Sequence, residues 1–278
     1  GTDGVFAGAS NITTLIVGSD MSGIGNYAFY GCAGLRSIKL CNGLDTIGNY
    51  AFANCVNMTT VDVDIHSTVA VLGDHAFYNC QALKDFIMPL SVKAIGDSAF
   101  EECYALENIE LTGNGENVLL EKVGYDAFAG CANLKSITFP RTYAEELDVT
   151  TFRGCSRLEF IGTSANGFNL VEGDDGEYTI ADFKANMIPT FYLKGNKDQA
   201  LHKTATKHEI AFSYYDVGLE RDVYELTVVE DDGGTPGNPN DDKKVVYRVD
   251  DNDELVYCQM DTGLKTVTLP TQIGPNYI

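Results

Sequence analysis

Phenylalanines fall at 6, 29, 52, 77, 100, 128 and 152, and a version of one motif surrounds each of them. Five copies are complete: IGNYAFYGCAGLRSIKL from Ile24, IGNYAFANCVNMTTVDV from Ile47, LGDHAFYNCQALKDFIM from Leu72, IGDSAFEECYALENIEL from Ile95 and VGYDAFAGCANLKSITF from Val123. Two worn copies flank them, VFAGASNITTLIV from Val5 and TFRGCSRLEFI from Thr151. The consensus is I-G-x-x-A-F-x-x-C-x-x-L-x-x-I-x-L, and a period of about 23 residues marks a stacked solenoid. A unit this short cannot bury its own apolar face, so the copies must stack, each touching only its neighbours.

Within one copy, Ile38 and Leu40 alternate with Ser37 and Lys39, the period of a short strand with one buried face. The Ile24-Gly25 step predicts a bend in which glycine takes unusual backbone angles. Ala28 and Phe29 then point inward, and the run through Gly31 forms a tight turn or one helical turn. The strands stack side by side into one narrow parallel sheet. Its outward positions read Ser37, Lys39 and Cys41; Thr60, Asp62 and Asp64; Asp85, Ile87 and Pro89; Asn108, Glu110 and Thr112; Ser136, Thr138 and Pro140. Repeat arrays use such surfaces for recognition. The candidate partner-binding strip is therefore Ser37, Lys39, Thr60, Asp62, Asp64, Asp85, Ile87, Asn108, Glu110, Thr112, Ser136 and Thr138. The plainer reading is the solvated side of a sheet.

Six of the eight cysteines, Cys32, Cys55, Cys80, Cys103, Cys131 and Cys155, share one register position three after the Phe. Buried in a row, cysteine acts as a small hydrophobe with a weak hydrogen-bonding group. Coils about 5 Å apart would bring adjacent thiols within disulfide range. The row repeats with every coil, whereas disulfides need pairs, so a reduced ladder is expected. Cys41 and Cys258 lie off it. No CxxC occurs, and no His stands near the ladder in metal-ligand spacing.

Outside the array, residues 112–120 lengthen one coil with a Gly/Asn-rich turn that should project. Residues 230–243 are an acidic Gly/Pro/Asn linker. Residues 244–278 are β-rich, with strands expected at 245–249, 255–260 and 265–269. Thr266-Val267-Thr268-Leu269-Pro270 followed by Ile273-Gly274 looks like the opening of a second array.

Net charge is -21, with 19 acidic and 9 basic residues in 1–162 and 21 and 10 in 163–278. Uniform acid argues against nucleic acid, whose phosphates need clustered Lys and Arg, and against anionic membranes. No apolar run is long enough to cross a membrane. No leader-like start is present, and the chain opens inside a worn repeat, so it reads as a mature or trimmed piece. Enzyme signatures are missing: no GxSxG, HExxH, P-loop or GxGxxG. The histidines at 66, 75, 202 and 208 are scattered, and a smooth solenoid offers no cleft in which two carboxyls converge. The run Asp250-Asp251-Asn252-Asp253-Glu254 lacks the glycine and distal glutamate of a calcium loop and reads as a hairpin turn. No catalytic residue, metal or cofactor is expected.

The repeat signature resembles the BspA-like leucine-rich repeats of bacterial and some protist surface proteins, over residues 5–162. The end copies depart from it: Ala9 takes the Cys place, and Asp148-Val149-Thr150 replaces the Ile-Gly opening. The resemblance implies an α/β solenoid, a leucine-rich-repeat array of seven coils in 1–162. It further implies that 163–229 is a capping segment, with a strand at 191–195, a helix at 200–205 and a strand at 210–212. It implies a secreted or cell-surface, monomeric, non-enzymatic adhesion protein that recognises host extracellular or microbial surface proteins. A passive spacer, an intracellular scaffold and glycan binding through Tyr30, Tyr78 and Tyr104 are the alternatives.

Overall fold

The structure is a computed structural model, and it describes residues 4–40, 42–63, 67–111, 119–140, 143, 145–163, 168–173, 176–217, 221–230, 243–250, 255–260, 270 and 272–277. Strands alternate long and short through the array: β1 (Thr14–Val17), β2 (Gly23–Ile24), β3 (Ser37–Leu40), β4 (Thr46–Ile47), β5 (Thr60–Val63), β6 (Val71–Leu72) and β7 (Asp85–Ile87). They continue as β8 (Ala94–Ile95), β9 (Asn108–Glu110), β10 (Lys122–Val123), β11 (Ser136–Phe139), β12 (Leu147–Asp148), β13 (Phe160–Thr163) and β14 (Leu170–Val171). The expected single sheet is in fact two ladders on different sides of the coil. The long strands form β1-β3-β5 and a second ladder beginning at β7; the short Ile-Gly strands form their own five-stranded sheet, β2-β4-β6-β8-β10. All pairings within the array are parallel and in register, so Ile38 meets Val61 and Ile24 meets Ile47.

The third side of each coil is a turn with its own backbone ladder. The residue before Ala and the residue before Cys both take left-handed angles: Tyr27, Tyr50, His75, Ser98 and Asp126 at one position, and Gly31, Asn54, Asn79, Glu102, Gly130 and Gly154 at the other. Gly and Asn adopt such angles cheaply, whereas bulkier side chains cost about 1–2 kcal/mol each. The alternation turns successive amides toward the next coil. Tyr50 N–H donates to the Asp74 carbonyl, Phe52 N–H to Ala76 and Asn54 N–H to Tyr78, each at 2.8 Å.

Inside the turn the phenylalanines stack ring on ring. Centroids from Phe6 through Phe29, Phe52, Phe77, Phe100 and Phe128 to Phe152 lie 5.2 to 6.1 Å apart, with planes within 13°. The cysteines lock this column. Each ladder thiol donates to the Phe carbonyl of the preceding coil, as from Cys55 Sγ to Phe29 at 3.2 Å and from Cys103 Sγ to Phe77 at 3.2 Å. All six are free thiols and buried, as expected for a reduced ladder. Burial pushes Cys55, Cys103 and Cys155 up to about 12 and raises Cys32, Cys80 and Cys131 as well.

The glycine of the Ile-Gly step serves a different end from the one expected. Gly25, Gly48, Gly73, Gly96 and Gly124 are outside the left-handed region. What matters is space: a Cβ on Gly96 would lie 2.6 Å from both the backbone nitrogen and Oδ1 of Asp74. That Asp or Asn of the preceding coil is engaged in its own ladder, with Asn49 N–H donating to Asn26 Oδ1, Asp74 N–H to Asn49 Oδ1 and Asp97 N–H to Asp74 Oδ1.

Beyond the array come α1 (Ile180–Asn186), β15 (Tyr192–Lys194), α2 (Ala200–Lys207), β16 (Ala211–Asp216), β17 (Arg221–Glu230), β18 (Lys243–Asp250), β19 (Leu255–Met260), β20 (Gln272–Ile273) and β21 (Asn276–Tyr277). The strand–helix–strand order expected around residues 191–212 is present as β15, α2 and β16. Helix α1 went unnoticed in the sequence, although Thr179 and Asp182 form a reciprocal capping box at its start. The main sheet runs without interruption from β7 to β13, then through β15 and β16, turning antiparallel at β17, β18 and β19. Among the described residues the α-helices belong to this closing part and the coils contain none. The closing part is pinned by a buried carboxylate. Glu225 meets His202 Nε2 at 3.0 Å and Arg248 Nε at 2.6 Å, while His202 Nδ1 accepts the Asp198 N–H. Burial alone would raise the Glu225 pKa, but its bonds to His202 and Arg248 hold it below the ordinary value.

Two predictions follow from the stacking contacts. Gly96→Ala should cost about 1–3 kcal/mol, as overpacking does. Gly25→Ala, where a Cβ meets nothing within 4 Å, should be neutral or stabilise by about 0.5 kcal/mol. Urea unfolding of the two variants measures the contrast; equal effects would refute the spacing argument. The raised thiols give a pH dependence. An unfolded thiol ionises near its ordinary value of 9.0, while Cys55, Cys103 and Cys155 in the fold resist to about 12. The unfolded chain thus binds fewer protons above that pH, and stability must fall as pH rises through this window. Thermal unfolding between pH 7 and 10.5, roughly spanning the onset of that window, should show a steepening loss, and a thiol reagent at pH 8 should leave the ladder peptides unlabelled until the chain unfolds.

Candidate functional surface

Strand alternation sets out two solvent-facing rows along the long strands. One runs Thr14, Ser37 and Thr60, and the other Ile16, Lys39 and Asp62, in exact lateral register. In the second ladder, from β7 on, corresponding rows run through Asp85, Asn108 and Ser136, and through Ile87, whose register partner on β9 is Glu110. Lys39, Thr60, Asp62, Asp85, Ile87 and Asn108 are exposed, and Ser37, Ser136 and Thr138 are half-buried. Glu110 occupies its expected place on β9. Asp64, Thr112 and Cys41 lie outside the described residues. Pro89 and Pro140, read as outward, are buried. The strands end at Ile87 and Phe139, so the alternation stops before them, and each proline carbonyl opens a turn by accepting from Val92 N–H and Tyr143 N–H.

The rows extend past both limits drawn from the sequence. Thr14 and Ile16 precede them. At the other end Phe160 pairs with Ser136 and with Tyr192, and Lys194 pairs with Gly162. Phe160 stacks on Tyr192 at 5.4 Å, and Tyr192 meets Tyr224 edge-on at 5.2 Å, giving a half-buried aromatic end. Burial, followed by the neighbouring Tyr224 and the Asp222 and Glu159 carboxylates, raises the Tyr192 hydroxyl. The worn repeat held the signal for Phe160, which occupies the register position of Ser136 in its copy.

Much of the charge beside these rows is matched within the chain. Lys39 pairs with Asp62 at 3.4 Å, Glu107 with Lys84 at 3.3 Å and Lys135 at 2.9 Å, and Lys194 with Asp222 at 3.0 Å. Hydrogen bonds from Lys135 and Lys84 hold the Glu107 carboxyl below its ordinary value. Asn108 Nδ2 donates to Asp85 Oδ1 at 2.8 Å.

The turn side carries a second aromatic row. Tyr27 stacks on Tyr50 at 4.8 Å and Tyr50 on His75 at 4.3 Å, while Tyr30 leans on Tyr27 and Tyr78 meets His75 edge-on. Tyr50 is sandwiched between Tyr27 and His75 and offers no free ring face. Tyr104 is 41% exposed. The surface is less smooth than the repeat suggested. An open cleft of about 480 Å³ lies along the short-strand side, rimmed by Asp97, Glu121, Tyr125, Glu145, Glu146 and Asp148. Another of about 460 Å³ sits between β14 and the helices, with Glu172, Lys203, Lys207 and His208 at its edge. Among the described residues no group of three His, Cys, Asp or Glu is placed to hold a metal ion, and no helix is long and apolar enough to cross a membrane.

Comparison with known proteins agrees with this architecture. The BspA type leucine rich repeat region matches in six copies, over residues 2–119 and 71–171. The chain belongs to this family. Among solved structures, a leucine rich repeat protein of T. pallidum is 21% identical, covering 63% of this chain and 85% of its own, with a TM-score of 0.49. A leucine-rich repeat protein from Bacteroides ovatus ATCC 8483 is 19% identical over 71% of this chain and 66% of its own, with a TM-score of 0.36. A leucine rich cell surface protein from Faecalibacterium prausnitzii A2-165 is 18% identical over 59% and 57%, with a TM-score of 0.37. No curated protein gives a match.

Proposed function

We propose that this BspA-type array is a non-enzymatic, secreted or cell-surface adhesion module that binds a protein partner across the outward rows of its main sheet. The single observation that carries this reading is that the rows of β1, β3 and β5, and those from β7 to β15, are each held in lateral register on a packed backbone, the second set ending in the half-buried rings of Phe160 and Tyr192. Binding faces draw most of their energy from a few such anchors, Tyr prominent among them. The matched ion pairs would then set register with the partner and contribute little to its affinity. A rigid, preformed face binds without reorganising, which conserves affinity. Host extracellular proteins and proteins of neighbouring microbes are the partner class that the family suggests. The passive spacer remains the second reading, and the internal neutralisation of Lys39, Asp62, Glu107 and Lys135 is the observation that favours it.

The test is a surface-binding panel of purified extracellular-matrix and bacterial surface proteins against the intact chain. At least one should bind, and Tyr192→Ala with Phe160→Ala should weaken it about 30-fold, the scale of a hot-spot loss. Charge reversal at Asp62 and Glu110 together should weaken it several-fold, by about 1 kcal/mol. Binding unchanged by all four substitutions would move the site elsewhere, and no binding across the panel would favour the spacer.

A further inference from the structure

One side of the coil is interrupted partway along the array. From β2 to β10 each short strand is bonded to the next. The carbonyls of Ile24, Ile47, Leu72 and Ile95 accept from the N–H of Gly48, Gly73, Gly96 and Gly124 in the following coil, at 2.8 to 2.9 Å. The series stops at Val123. Among the described residues β10 pairs only with β8 and β12 only with β14, and no bond from the next coil reaches the Val123 carbonyl. The side-chain ladder ends at the same place. Tyr125 N–H donates to Asp97 Oδ1 at 3.0 Å, but Tyr125 stands where the earlier coils hold Asn or Asp and has no carboxyl or amide to pass on. The same two coils stay joined elsewhere, through β11 with β13 and through Phe128 N–H to the Thr151 carbonyl at 3.0 Å. The cleft of about 480 Å³ lies at this break, with residues of both β10 and β12 lining it. Asp97, Glu121, Glu145, Glu146 and Asp148 line it against one described cation, Lys122. Among the described residues none of these six is in an ion pair, whereas Asp62, Glu107 and Asp126 elsewhere each have Lys or Arg beside them.

We propose that this break is a docking site for an extended basic segment of a partner protein, which adds its backbone to the free edge of β10 and lays Lys or Arg side chains against the cleft carboxylates. A strand edge with unclaimed carbonyls takes up another strand through main-chain bonds, and the side chains around it select the sequence of that strand. Here the selecting groups are acidic. A cleft lined by five carboxylates and one lysine concentrates negative potential. Among the described residues no three of the acids are placed to hold a metal ion, so cations spread along a segment match them better than one ion does. An acidic or apolar segment would leave their charge unanswered. A second copy of this chain, with 40 acidic and 19 basic residues, is a poor source of a basic segment. The site lies on the short-strand side, apart from the outward rows of the long strands, and does not depend on what those rows bind.

The probe is a fluorescein-labelled hexapeptide of alternating lysine and valine, titrated with the intact chain by fluorescence anisotropy. Saturable binding that weakens markedly in about 0.5 M salt is the expected result. The same peptide, N-methylated at every backbone amide, keeps its charge and loses its donors, and should bind at least about tenfold more weakly. Glu145→Lys with Glu146→Lys, at exposed positions, should leave the circular dichroism unchanged and weaken binding at least about tenfold. Asp62→Lys with Asp85→Lys, equally exposed but on the long strands, should bind the peptide more nearly as the parent does. Absence of binding would overturn the proposal. So would equal affinity for the N-methylated peptide, the sign of charge attraction without strand pairing, or affinity indifferent to the Glu145 and Glu146 substitutions. Displacement of the peptide by low-micromolar calcium would overturn it as well, assigning the cleft to the ion.

Discussion

Each coil is held to the next by one contact repeated along the array: a phenylalanine ring lying on a phenylalanine ring, with a thiol from the following coil bonded to the carbonyl behind it. The contact is specific in three ways. The ring must be flat to repeat at 5.2 to 6.1 Å. The thiol is small and weakly polar, so it satisfies the Phe carbonyl inside a sealed column without carrying charge there. The glycine just after the short strand leaves room for the Asn or Asp of the coil before it. Bulk at any of these places would push coils apart and loosen both strand ladders at once.

Because the contact recurs, whatever lies outside it is arranged in rows. The main sheet turns two side chains per coil outward at fixed lateral spacing, and the turn side turns out tyrosine and histidine. These rows are by-products of stacking until their side chains depart from ordinary solvated residues. They depart at the ends, where Ile16 stands exposed and Phe160, Tyr192 and Tyr224 gather. In the middle, lysines and carboxylates pair across neighbouring strands.

The stacking core was legible in the sequence because its determinants recur at one register: the Phe column, the thiol ladder, the inward Ile and Leu, and the outward Lys39, Asp62 and Asn108 all stand where the alternation puts them. Features governed by contacts between coils were not. The role of Gly96 depends on Asp74 in another repeat, and no single copy reveals it. The second ladder is built from two-residue strands, too short to show a period. Pro89 and Pro140 were misplaced because alternation was extended past the strand ends. The extension to Phe160 and Tyr192 lies in a worn copy and beyond it, and one of the two clefts lies between β14 and the closing helices, a junction with no repeat to read. The capping box at Thr179 and Asp182 is a local signal that a single copy of the sequence carries.

Stacking as the source of order makes a demand on local stability: a coil with two neighbours must be held more firmly than a coil with one. Native-state hydrogen exchange, resolved by peptide, measures this directly. The account predicts the slowest exchange at the turn amides of the central coils, around Phe52, Phe77 and Phe100. It predicts a marked fall toward the amides of Phe6 and Gly8 in the first described coil. Equal protection along the whole array, or a first coil as slow as the central ones, would contradict it.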